Sequence, residues 1–203
     1  MLSDSNTIAA ISTAQGQGGI GIVRLSGNDA LKIAKKICSG TITPRHAGFH
    51  NFQDESQEIL DQGIVLYFSN PHSFTGEDVI EFQGHGGQAV LEGILSLCIK
   101  YGAKLAEPGE FTKRAYLNNK IDLAQAESVI DVINATTLQA VKSASFSLSG
   151  KFSRKINSLL EKIIGLRVYV EACIDFPEEE IDFLEQGKVI EKLHNIIAEI
   201  DSI

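Results

Sequence analysis

The sequence predicts an α+β chain, with a mixed α/β part over residues 1–118 followed by helices over residues 119–203. Three observations predict it. Short β-type apolar runs, such as Ile20–Leu25, Ile64–Phe68 and Val79–Phe82, recur in the first part between glycine and proline turns. Helical periods separate them at Ala30–Cys38 and Gln88–Tyr101. Beyond Asp122 the β-type runs cease and apolar residues step by threes and fours. A length of 203 residues suits one large domain or two small ones.

The elements follow in order. TIAAIS, Thr7–Ser12, is a short strand. Gly16, Gly18 and Gly21 match G-x-G-x-x-G, but a dinucleotide fingerprint needs those glycines to open a helix. Here Ile20, Ile22, Val23 and Leu25 follow, so the glycines read as a loop between two strands and the nucleotide reading is rejected. Ser26-Gly-Asn-Asp offers capping chemistry to the helix ALKIAKKIC. Residues 40–58 have no clear period, and His46 and His50 read as surface-loop residues. DQGIVLYF, Asp61–Phe68, is a buried strand, and SNPHS, Ser69–Ser73, is a turn. Val79, Ile80 and Phe82 form the next strand, and Gly84, Gly86 and Gly87 mark its hand-over to the helix Gln88–Tyr101, which Gly102 stops. AKLA is a short strand, and EPGEF opens a helical turn that carries Thr112–Asn118.

The second part begins with a capping-box-like pair, Asp122 and Gln125, at the head of a helix with Leu123, Ala126, Ile130 and Ile133 on one face. Leu138 to Cys173 then keeps a helical period long enough for one amphipathic helix of about 35 residues, about 50 Å long, with Gly150 and Gly165 inside it as points of bending or close packing. DFPEEEIDF, Asp175–Phe183, breaks it as an acidic solvated turn, and Val189, Ile190, Leu193, Ile196, Ile197 and Ile200 line a last helix. These helices make an incomplete bundle. The expectation is that the chain is cut short or that partner helices come from elsewhere.

Composition narrows the function classes. Apolar content of 43% and charged content of 22% are ordinary for a soluble globular protein. No apolar run approaches the length of a membrane span, and MLSDSNTIAA has no basic region followed by an apolar core. Cys38, Cys98 and Cys173 are far apart in apolar helical contexts and read as buried free thiols, with neither a disulfide framework nor a metal site. A cytoplasmic address follows. The net charge of −8 argues against a dominant nucleic-acid surface.

Chemistry gathers in SFTGEDVIEFQGHGG, Ser73–Gly87. Asp78 and Glu81 stand among buried-strand residues, where carboxylates need partners. Glu81 beside a glycine corner is either a ligand-binding carboxylate or a solvated edge residue. Arg24 lies in an otherwise apolar strand and needs an anion. That anion is either a ligand or a structural carboxylate such as Glu81 itself. His85 is a lone acid–base candidate and reads as a corner residue, so no catalytic residue is assigned. Lys120, taken alone, decorates a helix start.

Six segments carry a family likeness: TIAAIST, GGIGIVRLSG, LDQGIVLYF, SFTGEDVIEFQGHGG, EPGEFTKRAYLNNKIDLAQAE and YVEACIDFPEEEIDF. They run in order through nearly the whole chain, which resembles the N-terminal part of the MnmE (TrmE) family of tRNA-modification GTPases. The resemblance implies a first domain, residues 1–118, similar to the tetrahydrofolate-binding domain of the glycine-cleavage T protein. That domain binds a reduced folate (a 5-formyl or methylene derivative) and forms a homodimer. Residues 119–203 then open the helical domain. The implied partners are the flavoprotein MnmG (GidA) and tRNA, whose wobble uridine receives a (carboxymethyl)aminomethyl group; no membrane is involved. The family's folate contacts fall by motif on Arg24, Glu81 and Lys120. Its GTP, magnesium and potassium sites do not fall on these residues, because the chain holds no G-x-x-x-x-G-K-[ST] loop and no N-K-x-D motif. The stop at Ile203 is expected to fall about where the family's GTPase domain is inserted. Two other readings remain open: a dimerisation scaffold with a vestigial pocket, and a stand-alone one-carbon transferase.

Overall fold

The computed structural model describes residues 6–16, 18–175 and 188–201. They fall into two compact units, 1–121 and 122–203. The first unit carries strands β1 (Ile8–Ile11), β2 (Gly18–Ser26), β3 (Gly48–Gln53), β4 (Ile59–Phe68), β5 (Val79–Gly86) and β6 (Lys104–Leu105). Its helices are α1 (Ala30–Ile37), α2 (Gln88–Lys100) and α3 (Glu110–Leu117). The second unit carries α4 (Leu123–Asn134), α5 (Leu138–Leu148), α6 (Lys151–Asp175) and α7 (Val189–Asp201). The chain is therefore α+β, as the runs and periods predict.

The six strands form one sheet in the order β3-β4-β5-β2-β1-β6, antiparallel except for the β1–β6 pair. Side chains alternate between the two faces of each strand. On one face Ala9, Val23, Leu25, Val65, Ile80 and Phe82 are buried against Ile33, Ala34 and Ile37 of α1 and Leu91, Ile94 and Cys98 of α2. Phe82 meets Phe52 edge to face, with ring centroids 5.6 Å apart. Burial of each Val, Leu, Ile or Phe side chain in this layer contributes about 1.5–3 kcal/mol, so the layer fixes the strand register. The opposite face of the central strands presents Arg24, Glu81, Gln83, Ile64 and Leu66, all at least partly accessible.

Several expectations are corrected. The expected helix of about 35 residues is two helices, α5 and α6, divided at Ser149–Gly150. Gly150 has φ +72°, the left-handed conformation that commonly ends a helix. The apolar period runs through the break unaltered, which is why it reads as one helix. Residues 40–58 include β3, and His50 is buried there, with Nδ1 2.7 Å from the Ser39 carbonyl. Gly84 and Gly86 lie inside β5, and the corner itself is Gly87, the N-cap of α2. Gly18 and Gly21 likewise lie inside β2 rather than in a loop. Asp29 stands at the N-cap of α1 without a side-chain bond to the helix; its own N–H donates to Thr7 Oγ1 at 3.0 Å. Cys38 and Cys98 are buried thiols, but Cys173 is only partly buried, and Cys38 caps α1 rather than lying within it. The acidic stretch after Asp175 lies outside the described residues.

The capping box at α4 forms as expected. Asp122 Oδ1 accepts from Gln125 N–H at 2.9 Å, and Gln125 Oε1 accepts from Asp122 N–H at 3.0 Å. No described helix is long and apolar enough to cross a membrane. In the second unit, a groove of about 540 Å³ between α6 and α7 is lined by Lys162, Tyr169, Lys192 and Glu199.

Candidate functional site

The antiparallel pairing of β2 and β5 sets Arg24 directly opposite Glu81, with Leu66 of β4 on the far side of Glu81. Residues so paired share a face with their Cβ atoms about 5 Å apart, so the long side chains meet. Arg24 Nη2 lies 2.8 Å from Glu81 Oε1, and Arg24 Nε donates to the same oxygen at 3.0 Å. The pair is mostly shielded: the Arg24 side chain is 29% exposed and that of Glu81 13%. Phe111 of α3 lies beside it, its ring centroid 5.7 Å from Arg24 Cζ. Of the two partners that the sequence leaves open for Arg24, Glu81 is the one the structure places in contact.

The pair is not closed to a further ligand. Both arginine bonds fall on Oε1, and among the described residues Glu81 Oε2 has only a long bond of 3.3 Å from Gln83 Nε2. The Arg24 Nη1 group makes no hydrogen bond to a described residue. A planar ligand with adjacent donors can therefore reach Oε2, and an acceptor can reach the free edge of the guanidinium.

Lys120 is exposed and stands beyond α3, in the turn that leads into α4, and its side chain lies against the loop before β5. Its Nζ donates to the Pro71 carbonyl at 2.9 Å. Its aliphatic stem lies against Gly76, where a Cβ would come within 3.1 Å of Lys120 Cδ. Gly76 has φ +78°, so glycine serves both the turn and this approach. Among the described residues Lys120 contacts neither Arg24 nor Glu81. The structure thus joins two of the three predicted site residues directly and attaches the third to the loop before β5.

Two arrangements escape the sequence reading. His85 is not alone: Asp61 of β4 accepts from its backbone N–H at 2.8 Å and lies 2.7 Å from its Nδ1. Burial pushes the Asp61 carboxyl up, but the His85 side-chain and backbone hydrogen bonds and attraction outweigh it and leave the group below its usual range. The second is a buried cluster around Arg114, where Glu77 and Glu110 both accept from the guanidinium. Glu110 is pushed up by burial, yet bonds from Glu107 N–H and Arg114 hold it below the usual carboxylate range. The i, i+4 spacing of Glu110 and Arg114 was visible in the sequence; the burial that distinguishes it from a surface pair was not. Among the described residues no group of His, Cys, Asp and Glu could hold a metal ion.

The fold and the site define an α+β module with a shielded carboxylate–guanidinium pair on one sheet face, continued by a helical segment. Comparison with known proteins places that module. Residues 7–120 match the family model described as the GTP-binding protein TrmE N-terminus, and residues 123–203 match the MnmE helical domain. The chain belongs to the TrmE (MnmE) family. It is 55% identical over 197 residues to the tRNA modification GTPase MnmE of Pseudomonas putida (strain W619), covering 97% of this chain and 43% of that protein. It is 55% identical over 199 residues to the MnmE of Saccharophagus degradans, covering 98% and 44%. The corresponding figures for Hydrogenovibrio crunogenus MnmE are 53% over 201 residues, 99% and 45%. The chain therefore spans less than half the length of these relatives.

Proposed function

We propose that this chain supplies the reduced-folate-binding and dimerisation part of a tRNA-modification GTPase. The observation that carries the reading is the Arg24–Glu81 pair, held in register on an accessible sheet face with one carboxylate oxygen and one guanidinium edge open to a ligand. The residues fit a pterin. Its amino group and adjacent ring N–H are paired donors, and Glu81 accepts them once the long Gln83 bond is released. Phe111 offers an apolar wall beside Arg24. Arg24 and Lys120 are the cations for the ligand's carbonyl and its anionic tail.

A bound reduced folate supplies a one-carbon unit. This chain's residues orient the ring and shield one side of it, and no described residue is assigned a bond-making role. In the assembled system the unit goes to the wobble uridine of tRNA, with the flavoprotein MnmG as partner in the cytoplasm. GTP, magnesium and potassium are bound in the family outside the residues present here.

Dimerisation through the first unit is supported by apolar surface. Phe49 and Ile64, paired across β3 and β4, are 70% and 38% exposed, and β3 is an edge strand. Calorimetric titration of the chain with 5-formyltetrahydrofolate tests the proposal. It predicts saturable binding of one ligand per chain, and a titration without binding heat at any temperature tried would overturn it. Light scattering at micromolar concentration should give twice the chain mass; a monomer that binds folate would remove the dimer claim alone.

A further inference from the structure

A buried guanidinium connects the segments that carry the three proposed ligand contacts. Arg114 is 7% exposed. Its Nε and Nη2 donate to Glu110 Oε1 at 3.2 and 2.8 Å, and its Nη1 reaches both carboxylate oxygens of Glu77 at 3.2 Å. Glu77 Oε2 also accepts from Ser26 Oγ at 2.7 Å, and Ser26 Oγ lies 2.7 Å from Thr75 Oγ1. Ser26 has one hydroxyl proton and gives it to the carboxylate, so Thr75 is the donor to Ser26.

Such a cluster is poor value as a source of stability alone. Well-packed apolar side chains of similar volume often serve a fold at least as well as a buried ion pair. What the planar fork provides is direction, because several donors fix two carboxylates at once. The elements fixed here are the ones that matter to the site. Ser26 is two residues from Arg24 in β2. Glu77 is in the loop that enters β5, four residues before Glu81. Asn118, just beyond α3, donates from Nδ2 to the Thr75 carbonyl at 2.7 Å, and the chain turns from there to Lys120. The Lys120 stem and Nζ rest on Gly76 and Pro71 of that same loop.

We propose that Arg114 is a positioning residue for the ligand site: through Glu77 and the Thr75–Asn118 bond it sets where Lys120 stands relative to the Arg24–Glu81 pair. The inference rests on the reading that a reduced folate binds there. Arg114 itself touches no ligand. Its effect passes through the loop 73–78 to Lys120.

The test is a double-mutant cycle on the whole chain, with 5-formyltetrahydrofolate affinity read by calorimetry and folding read by circular dichroism. Arg114→Lys keeps the charge and loses the fork. Asn118→Ala cuts the last bond of the path at an exposed residue and keeps the experiment decisive where Arg114→Lys does not fold. Each is expected to weaken binding about three- to tenfold, as loss of one positioning hydrogen bond allows. In a Lys120→Ala background, Asn118→Ala should cost less than twofold, because the residue it positions is gone. A purely structural role would give the same factor in both backgrounds, and that result overturns the proposal. If the parent binds folate and Glu81→Gln weakens it, but Asn118→Ala binds like the parent, the positioning claim falls and the folate reading stands. If the parent binds no reduced folate, both fall.

Discussion

Glu81→Gln is the substitution whose consequences can be worked furthest. Glu81 Oε1 accepts two bonds from Arg24, at 2.8 and 3.0 Å, in a place where the Glu81 side chain is 13% exposed. Glutamine keeps an oxygen for Arg24 but removes the charge. Bonds to a charged group contribute about 1.5–3 kcal/mol and neutral ones about 0.5–1.5, so the fold should lose about 1–2 kcal/mol and melt a few degrees lower. The ligand effect is larger. The oxygen now open to a pterin becomes an amide NH2, so one acceptor is lost and two donors face each other. Folate affinity should fall about ten- to a hundredfold or more. Turning the amide over does not rescue it, because the NH2 would then face Arg24. Thermal melts and calorimetric titration with 5-formyltetrahydrofolate should be run on the same preparation. A variant that is folded, dimeric and binds folate as tightly as the parent would refute the reasoning and return Glu81 to a structural ion pair.

Three further outcomes are expected. Gly150→Ala places a Cβ at φ +72° within 3.2–3.3 Å of the Arg154 and Gln125 side chains, and should cost about 1–2 kcal/mol in urea unfolding followed by helical circular dichroism; a stabilised variant would mean that α5 and α6 run as one helix. The Asp61 carboxyl is held below its usual range, so its contribution to stability is complete above about pH 4–5 and is lost as pH falls through its folded value; the melting temperature of Asp61→Asn should therefore approach that of the parent on acidification, and a gap that stays constant from pH 7 to pH 3 would contradict this. Burial pushes the Cys38 thiol up to about 12 and the Cys98 thiol higher still, so a thiol reagent should label Cys173 first and the other two only on unfolding; prompt labelling of Cys98 in the native chain would contradict the packing of α2.

How much of this was legible depends on where each residue's partner lies. The strands at Ile64–Phe68 and Val79–Phe82 are apolar enough to be read directly. β3 is not, because its buried positions are His50 and Phe52 while Phe49 faces outward, which inverts the usual pattern. The α5–α6 break hides because the apolar period continues across Gly150, and only the backbone angle reveals it. Arg24 could be singled out because a guanidinium in an apolar strand requires an anion, and Glu81 could be offered as that anion. Arg114 could not: at i, i+4 from Glu110 it resembles any solvated helix pair. It becomes a buried cluster only because Glu77, from a loop 37 residues earlier, folds onto it. Lys120 was assigned from family likeness alone, and its support by Gly76 and Pro71 depends on the same loop.

A reduced folate is proposed to be held at the Arg24–Glu81 pair. The most direct measurement is an NMR titration of the isotope-labelled chain with 5-formyltetrahydrofolate, following the Arg24 Nε–H resonance, the amides of Val79–Gly84 and those around Lys120. Saturable shifts are expected at all three, with the Arg24 Nε–H among the largest because its partner carboxylate takes up new donors. An unmoved Arg24 Nε–H at saturating ligand, or shifts confined to residues 122–203, would contradict this placement.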